Sequence, residues 1–170
     1  MSKDQLTFFQ DGKAVPGKSV KFQLRRSFAA GLESVFDAWL IPFKAGDWMF
    51  GPKDSMQKVI TLENQPLPGG KFHFEVSRNG QKMNLTGEYL EIRRPEKLVC
   101  KIGADSDLAE LITLTMELNE EQGKTRMKLA FELDSSLAAD VDSLRAEWTE
   151  RCKALSELVE RSKKQSSLFK

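Results

Sequence analysis

Leu144-Arg145-Ala146-Glu147-Trp148-Thr149-Glu150-Arg151-Cys152-Lys153-Ala154-Leu155-Ser156-Glu157-Leu158-Val159 decides the fold class of this chain. Leu144, Trp148, Cys152, Leu155 and Val159 recur at steps of four, four, three and four residues, which places them on one face of a long helix. Such a face must be buried against another element. Helical spacing begins at Ser136, and Asp134-Ser135-Ser136 supplies capping side chains. Lys163-Lys164 near the far end suit the helix dipole.

Everything upstream of this helix, back to residue 56, reads with a period of two. Met127, Leu129, Phe131 and Leu133 alternate with polar residues, and a turn over 120–123 joins them to Ile112, Leu114, Met116 and Leu118. Leu98, Cys100 and Ile102 form an earlier strand, followed by a loop at Asp105-Ser106-Asp107. A strand from Met83 to Ile92 stops before Pro95, and Asn79-Gly80 makes the hairpin to Phe72, Phe74 and Val76. Pro66-Leu67-Pro68-Gly69-Gly70 is a turn, and Met56 to Leu62 reads as a strand before it. Strands joined by short turns imply an antiparallel meander, whose apolar face the long helix would cover.

Nearer the N-terminus, Val20, Phe22 and Leu24 begin a strand whose parity continues through Arg26 to Phe28. Gly31-Leu32-Glu33-Ser34 opens a helix with Val35, Phe36, Trp39 and Leu40 on one stripe, and Pro42 ends it or starts a second. Asp47-Trp48-Met49-Phe50-Gly51-Pro52 reads as a loop. The expected organisation is an N-terminal tail or docking arm over 1–17, one domain over 18–164 and a tail over 165–170. Leu6-Thr7-Phe8-Phe9 is the apolar island that would let the first segment dock.

Charge and composition narrow the function. Lys and Arg exceed Asp and Glu by only one, and they are spread along the chain, which argues against nucleic-acid binding by phosphate neutralisation. No apolar run approaches the roughly 20 residues that span a bilayer, and the N-terminus carries no secretory signal pattern. Cys100 and Cys152 are far apart and outside any paired-cysteine motif, as expected of buried, reduced thiols in a cytoplasmic protein.

Catalytic and metal signals are weak. His73 is the sole histidine, and its parity opposes Phe72 and Phe74, so it is expected on the outer face. A zinc site would then need cysteines and carboxylates, and none has ligand spacing. Cys100 is in phase with Leu98 and Ile102, which argues for inert burial rather than a nucleophile. No glycine-rich loop leads into a helix, so no phosphate cradle is expected. The reading is a non-catalytic protein without metal or cofactor.

Arg26 shares the face of Val20, Phe22, Leu24 and Phe28. It reads either as a strand-end residue whose head reaches water or as an anchor for an anionic group on an apolar ligand. Tyr89 reads as core or as a hydroxyl facing the same space.

Several motifs, in order, resemble a known family. They are Arg26-Ser27-Phe28-Ala29-Ala30, Val35-Phe36-Asp37-Ala38-Trp39, and Trp48 ahead of Gly51-Pro52. Pro68-Gly69-Gly70-Lys71-Phe72, Gly87-Glu88-Tyr89 and Pro95-Glu96-Lys97-Leu98 follow. Across 18–162 the chain resembles the START-like, helix-grip (SRPBCC) superfamily. Within it, the chain resembles the branch related to the C-terminal domain of the activator of the ninety-kilodalton heat-shock protein ATPase. Gly31 stands where the family usually has Pro, and Glu147-Trp148 replaces a Gly-Trp that commonly begins the last helix. The 1–17 segment has no clear family counterpart.

The resemblance implies an α+β helix-grip fold, a curved antiparallel sheet wrapped on a long C-terminal helix with two short helices after the first strand. It also implies a cavity between sheet and helix, with candidate lining residues Arg26, Phe72, Phe74, Tyr89, Leu114, Met116, Phe131, Trp148 and Cys152. Beside a cyclase- or hydrolase-like enzyme of the same superfamily, two functions follow as expectations. One is binding of a small hydrophobic or amphipathic molecule of lipid, polyketide or aromatic type. The other is a co-chaperone-like module whose protein partner meets Trp48, Met49 and Phe50; buried, these three would instead form a lid. A homodimer through a sheet edge or the 1–17 arm stays open.

Overall fold

The computed structural model describes residues 19–52 and 56–168, with side chains as far as residue 161. In chain order the elements are β1 (Val20–Phe28), α1 (Leu32–Leu40), α2 (Pro42–Trp48), β2 (Lys58–Asn64), β3 (Lys71–Arg78), β4 (Gln81–Arg93) and β5 (Lys97–Gly103). There follow α3 (Ser106–Ala109), β6 (Ile112–Glu121), β7 (Lys124–Leu133), a 3-10 turn (Ser135–Asp140) and α4 (Val141–Leu168). The seven strands form one sheet in the order β1-β7-β6-β5-β4-β3-β2, with every pairing antiparallel. The α+β helix-grip architecture expected from the motifs is therefore the observed one.

Tight turns set the register of the meander. Asn79-Gly80 and Gln122-Gly123 both have positive φ at both positions. They close two-residue hairpins between Arg78 and Gln81 and between Glu121 and Lys124, the twist-matching turn for antiparallel strands. β1 and β2 lie at opposite edges, so α1 and α2 carry the chain across the concave face. Irregularities at Leu90 and Ile60 shift the registers of β4 and β2, and bulges of this kind bend a sheet around its contents.

The inner face is filled by the expected residues. Phe22, Phe28, Phe72, Phe74, Val76, Leu114, Met116, Leu129 and Phe131 are buried, as are Val35, Phe36 and Trp39 of α1 and Trp148, Cys152, Leu155 and Val159 of α4. Hydrogen bonds pin the layers together. Thr125 Oγ1, fully buried, donates to the Ala30 carbonyl at 2.6 Å, and Arg145 reaches the Gln23 carbonyl at 3.1 Å. The Trp48 indole N–H donates to the Ala38 carbonyl at 2.8 Å, locking α2 on α1.

Boundaries differ from the sequence reading where local capping decides them. Pro42 starts α2, whose helix absorbs Asp47 and Trp48 from the expected loop. Asp105 accepts from the Leu108 N–H at 2.8 Å and caps α3, so the expected loop at 105–107 is the start of a short helix. The Asp134 carboxylate accepts from the Ser136 N–H at 2.9 Å and initiates the 3-10 turn, so regular α-helix begins only at Val141. Helical backbone continues through 165–168, part of the segment read as a tail. The 1–17 arm lies outside the described residues.

Candidate functional site

One end of the sheet–helix sandwich is not filled. There the ends of β4, β5 and β6, the short helix α3, the 3-10 turn and the N-terminal part of α4 line a partly open cavity of about 300 Å³. Gly103 lets the wall close. A Cβ at that position would stand 2.6 Å from the Ala109 nitrogen, so only glycine allows α3 to sit this close to β5.

The sheet contributes Leu85, Ile102 and Ile112 to the cavity, α3 contributes Leu108, and the 3-10 turn contributes Leu137. α4 contributes Leu144 and Trp148, with the polar Asp140, Ser143, Glu147 and Arg151 on the same side. Apolar walls with a few polar groups on one side match the usual composition of small-molecule sites, at the small end of their size range. Two larger grooves of about 570 and 850 Å³ lie against mainly charged and polar residues. The second of these holds His73, whose Nε2 lies 2.9 Å from Asn84 Oδ1.

Trp148 links the cavity to the core. Its ring is 3% exposed, stacks with Trp39 at 6.2 Å between centroids and meets Phe131 at 5.2 Å. Trp48 packs edge-on against Trp39 at 4.7 Å, so all three tryptophans of the chain form one cluster. The Arg151 guanidinium lies 4.7 Å above the Trp148 ring, and its Nε donates to the Met49 carbonyl at 2.7 Å. Burial lowers the Arg151 pKa from its ordinary value, opposed by the Glu147 carboxylate, whose Oε1 is 3.6 Å from Nη1.

Of the residues expected to line a cavity, only Trp148 lines this one, while Arg26 and Phe72 border the two larger grooves. Phe72, Phe74, Leu114, Met116, Phe131 and Cys152 are packed into the core behind it. Tyr89 is also buried, and its hydroxyl donates to Asn64 Oδ1 at 2.6 Å. Arg26 Nε donates to Ser156 Oγ at 2.6 Å, a strand-to-helix tie away from the cavity. Trp48, Met49 and Phe50 are buried, and Met49 presents its carbonyl to Arg151. Met49 alone of the three holds the cavity's cation, and none of the three side chains faces solvent.

Sequence reasoning passed over Arg151 because it flanks the Trp148-Cys152 stripe instead of lying on it. Leu108 directly follows the loop read at 105–107, and Leu137 directly follows the caps read at 134–136. Leu144 was on the stripe, but nothing in its spacing separated cavity from core.

The thiols are inert by placement. Burial pushes Cys152 up to about 11 and Cys100 up to about 12. At pH 8 a thiol titrating at about 11 instead of 9.0 is ionised roughly a hundredfold less. Native protein is therefore expected to react with a thiol reagent at least about a hundredfold more slowly than protein unfolded in urea. Rapid native labelling of either cysteine would contradict this placement.

Comparison with known proteins gives the same architecture. The family model for Activator of Hsp90 ATPase homolog 1-like protein matches residues 29–160. A Chromobacterium violaceum protein of known structure is 23% identical, with a TM-score of 0.67 over 82% of this chain and 96% of that one. A Nitrosomonas europaea protein is 17% identical, with a TM-score of 0.70 over 88% and 99%. An AHSA1-like protein from Aeromonas hydrophila is 17% identical, with a TM-score of 0.70 over 84% and 94%. At these identities the likeness is one of fold. No curated protein matches the chain, and no helix among the described residues is long and apolar enough to cross a membrane.

Proposed function

The chain belongs to the family of Activator of Hsp90 ATPase homolog 1-like proteins, and on that premise we propose that it binds a small amphipathic molecule, without catalysis, in the cavity beside Trp148. Membership supports a binding or interaction module in general. The observation that carries the narrower reading is the partly open pocket of about 300 Å³, with leucine and isoleucine walls and polar groups on the α4 side. Burial of Trp48, Met49 and Phe50 supports it over the partner-loop reading, because those side chains are turned inward.

Binding has a native reporter, since Trp148 lines the cavity and contacts the other two tryptophans. Titration with a medium-chain amphiphile is expected to change tryptophan emission saturably. At a hundredfold excess over Kd it should stabilise the fold by about 2.7 kcal/mol. Leu108→Trp adds bulk at a half-buried wall position on α3, and it is expected to lower affinity about tenfold or more by calorimetry while the protein stays folded. Full affinity in that variant would remove the cavity as the binding site.

A further inference from the structure

We propose that the molecule held in this cavity is a monocarboxylate, its head bound by the terminal nitrogens of Arg151 and its apolar body lying along Trp148 and Leu144 toward Ile112. The inference rests on the reading of the cavity as a ligand site and names the chemistry of its occupant.

Arg151 is an unusual side chain for such a wall. It is only 13% exposed, yet a guanidinium carries five donors and an unpaired buried charge is expensive. One donor, Nε–H, is committed to the Met49 carbonyl, which fixes the plane of the group. The Trp148 face packs on one side. Glu147 one turn back forms an ion pair with Nη1 at 3.6 Å, longer than a direct hydrogen bond, and its side chain is 57% exposed. Among the described residues the two terminal nitrogens have no other hydrogen-bond partner, and Arg151 lines the cavity. A fork of donors held by its third nitrogen, in the lining of a pocket with leucine and isoleucine walls, fits a planar two-oxygen acceptor.

Size limits the rest of the molecule. A water-sized unit takes about 30 Å³, so the space holds a molecule of about ten non-hydrogen atoms. The carboxylates of Asp140 and Glu147 on the same side oppose an anion and would favour a cation. Asp140 is exposed, as Glu147 is, and solvent screens both, whereas Arg151 is only 13% exposed and lines the pocket itself.

Three probes of equal chain length separate these contributions: octanoate, 1-octanol and octylammonium, titrated calorimetrically at pH 7. Wild type is expected to bind octanoate roughly 10- to 100-fold more tightly than 1-octanol, and octylammonium most weakly. Arg151→Met is expected to erase the octanoate preference and leave 1-octanol within about twofold. Glu147→Gln, a change at an exposed position that leaves the fold intact, is expected to tighten octanoate and not 1-octanol. That variant keeps the test open should Arg151→Met not fold. If 1-octanol or octylammonium equals octanoate in wild type, the carboxylate proposal falls and the cavity reading survives. If none of the three binds, both fall.

Discussion

Trp148→Ala is expected to destabilise the protein by about 3–5 kcal/mol, the range for removing a large buried aromatic. The indole is 3% exposed and touches rings from three other elements, Trp39 of α1, Trp48 of α2 and Phe131 of β7. It is thus a contact through which α4 meets both α1 and α2 as well as the sheet. None of these neighbours can close the gap without leaving its own partners, so the site relaxes poorly and the cavity penalty is near its maximum. Arg151 would also lose the ring beneath its guanidinium. In urea the midpoint should fall by about 2 M if the slope is near 2 kcal/mol/M. A shift equivalent to less than about 1 kcal/mol would mean that α4 is not gripped through this residue.

Gly87→Ala is expected to be comparably damaging for the opposite reason. A Cβ at Gly87 would stand 1.8 Å from the Lys101 carbonyl oxygen and 2.5 Å from the Phe72 ring. The first obstacle is backbone of the paired strand, with Gly87 opposite Ile102 and Glu88 opposite Lys101, so it can yield only by opening the β4–β5 ladder. The second is a buried ring lying directly across from Gly87 in the β3–β4 register. Overpacking against backbone is expected to cost about 3 kcal/mol or more. The measurement is the urea midpoint of the variant, or its failure to accumulate as folded protein. A loss below about 1 kcal/mol would show that the sheet is less tightly bent here than described.

Side-chain parity made most of the fold legible. Alternation identifies Phe72, Phe74, Leu114, Met116 and Phe131 as inward-facing, and all five are buried. The Asn79-Gly80 turn and the Trp148–Val159 stripe likewise lie where their chemistry demands. The site was far less legible. Parity says which face a residue occupies, but not how far the covering helix stands from it. Phe131 and Ile112 both face inward, yet Phe131 meets Trp148 ring to ring while Ile112 lines open space. α3 and the 3-10 turn form part of the wall of that space, and both elements depend on short-range caps by Asp105 and Asp134. Arg26 and Arg151 show the same limit. Either could have faced a cavity, and the choice is made by tertiary partners, Ser156 for one and the Met49 carbonyl for the other.

The most direct test of the binding account is to locate a bound ligand on the protein. Nuclear Overhauser effects between octanoate chain protons and the side chains of isotope-labelled protein would do so. The account predicts contacts from the chain to Leu108, Ile112, Leu144 and Trp148, with the first methylene nearest Arg151. Contacts instead to His73 on the outer face, or to the exposed Val59 and Ile60 of edge strand β2, would contradict it.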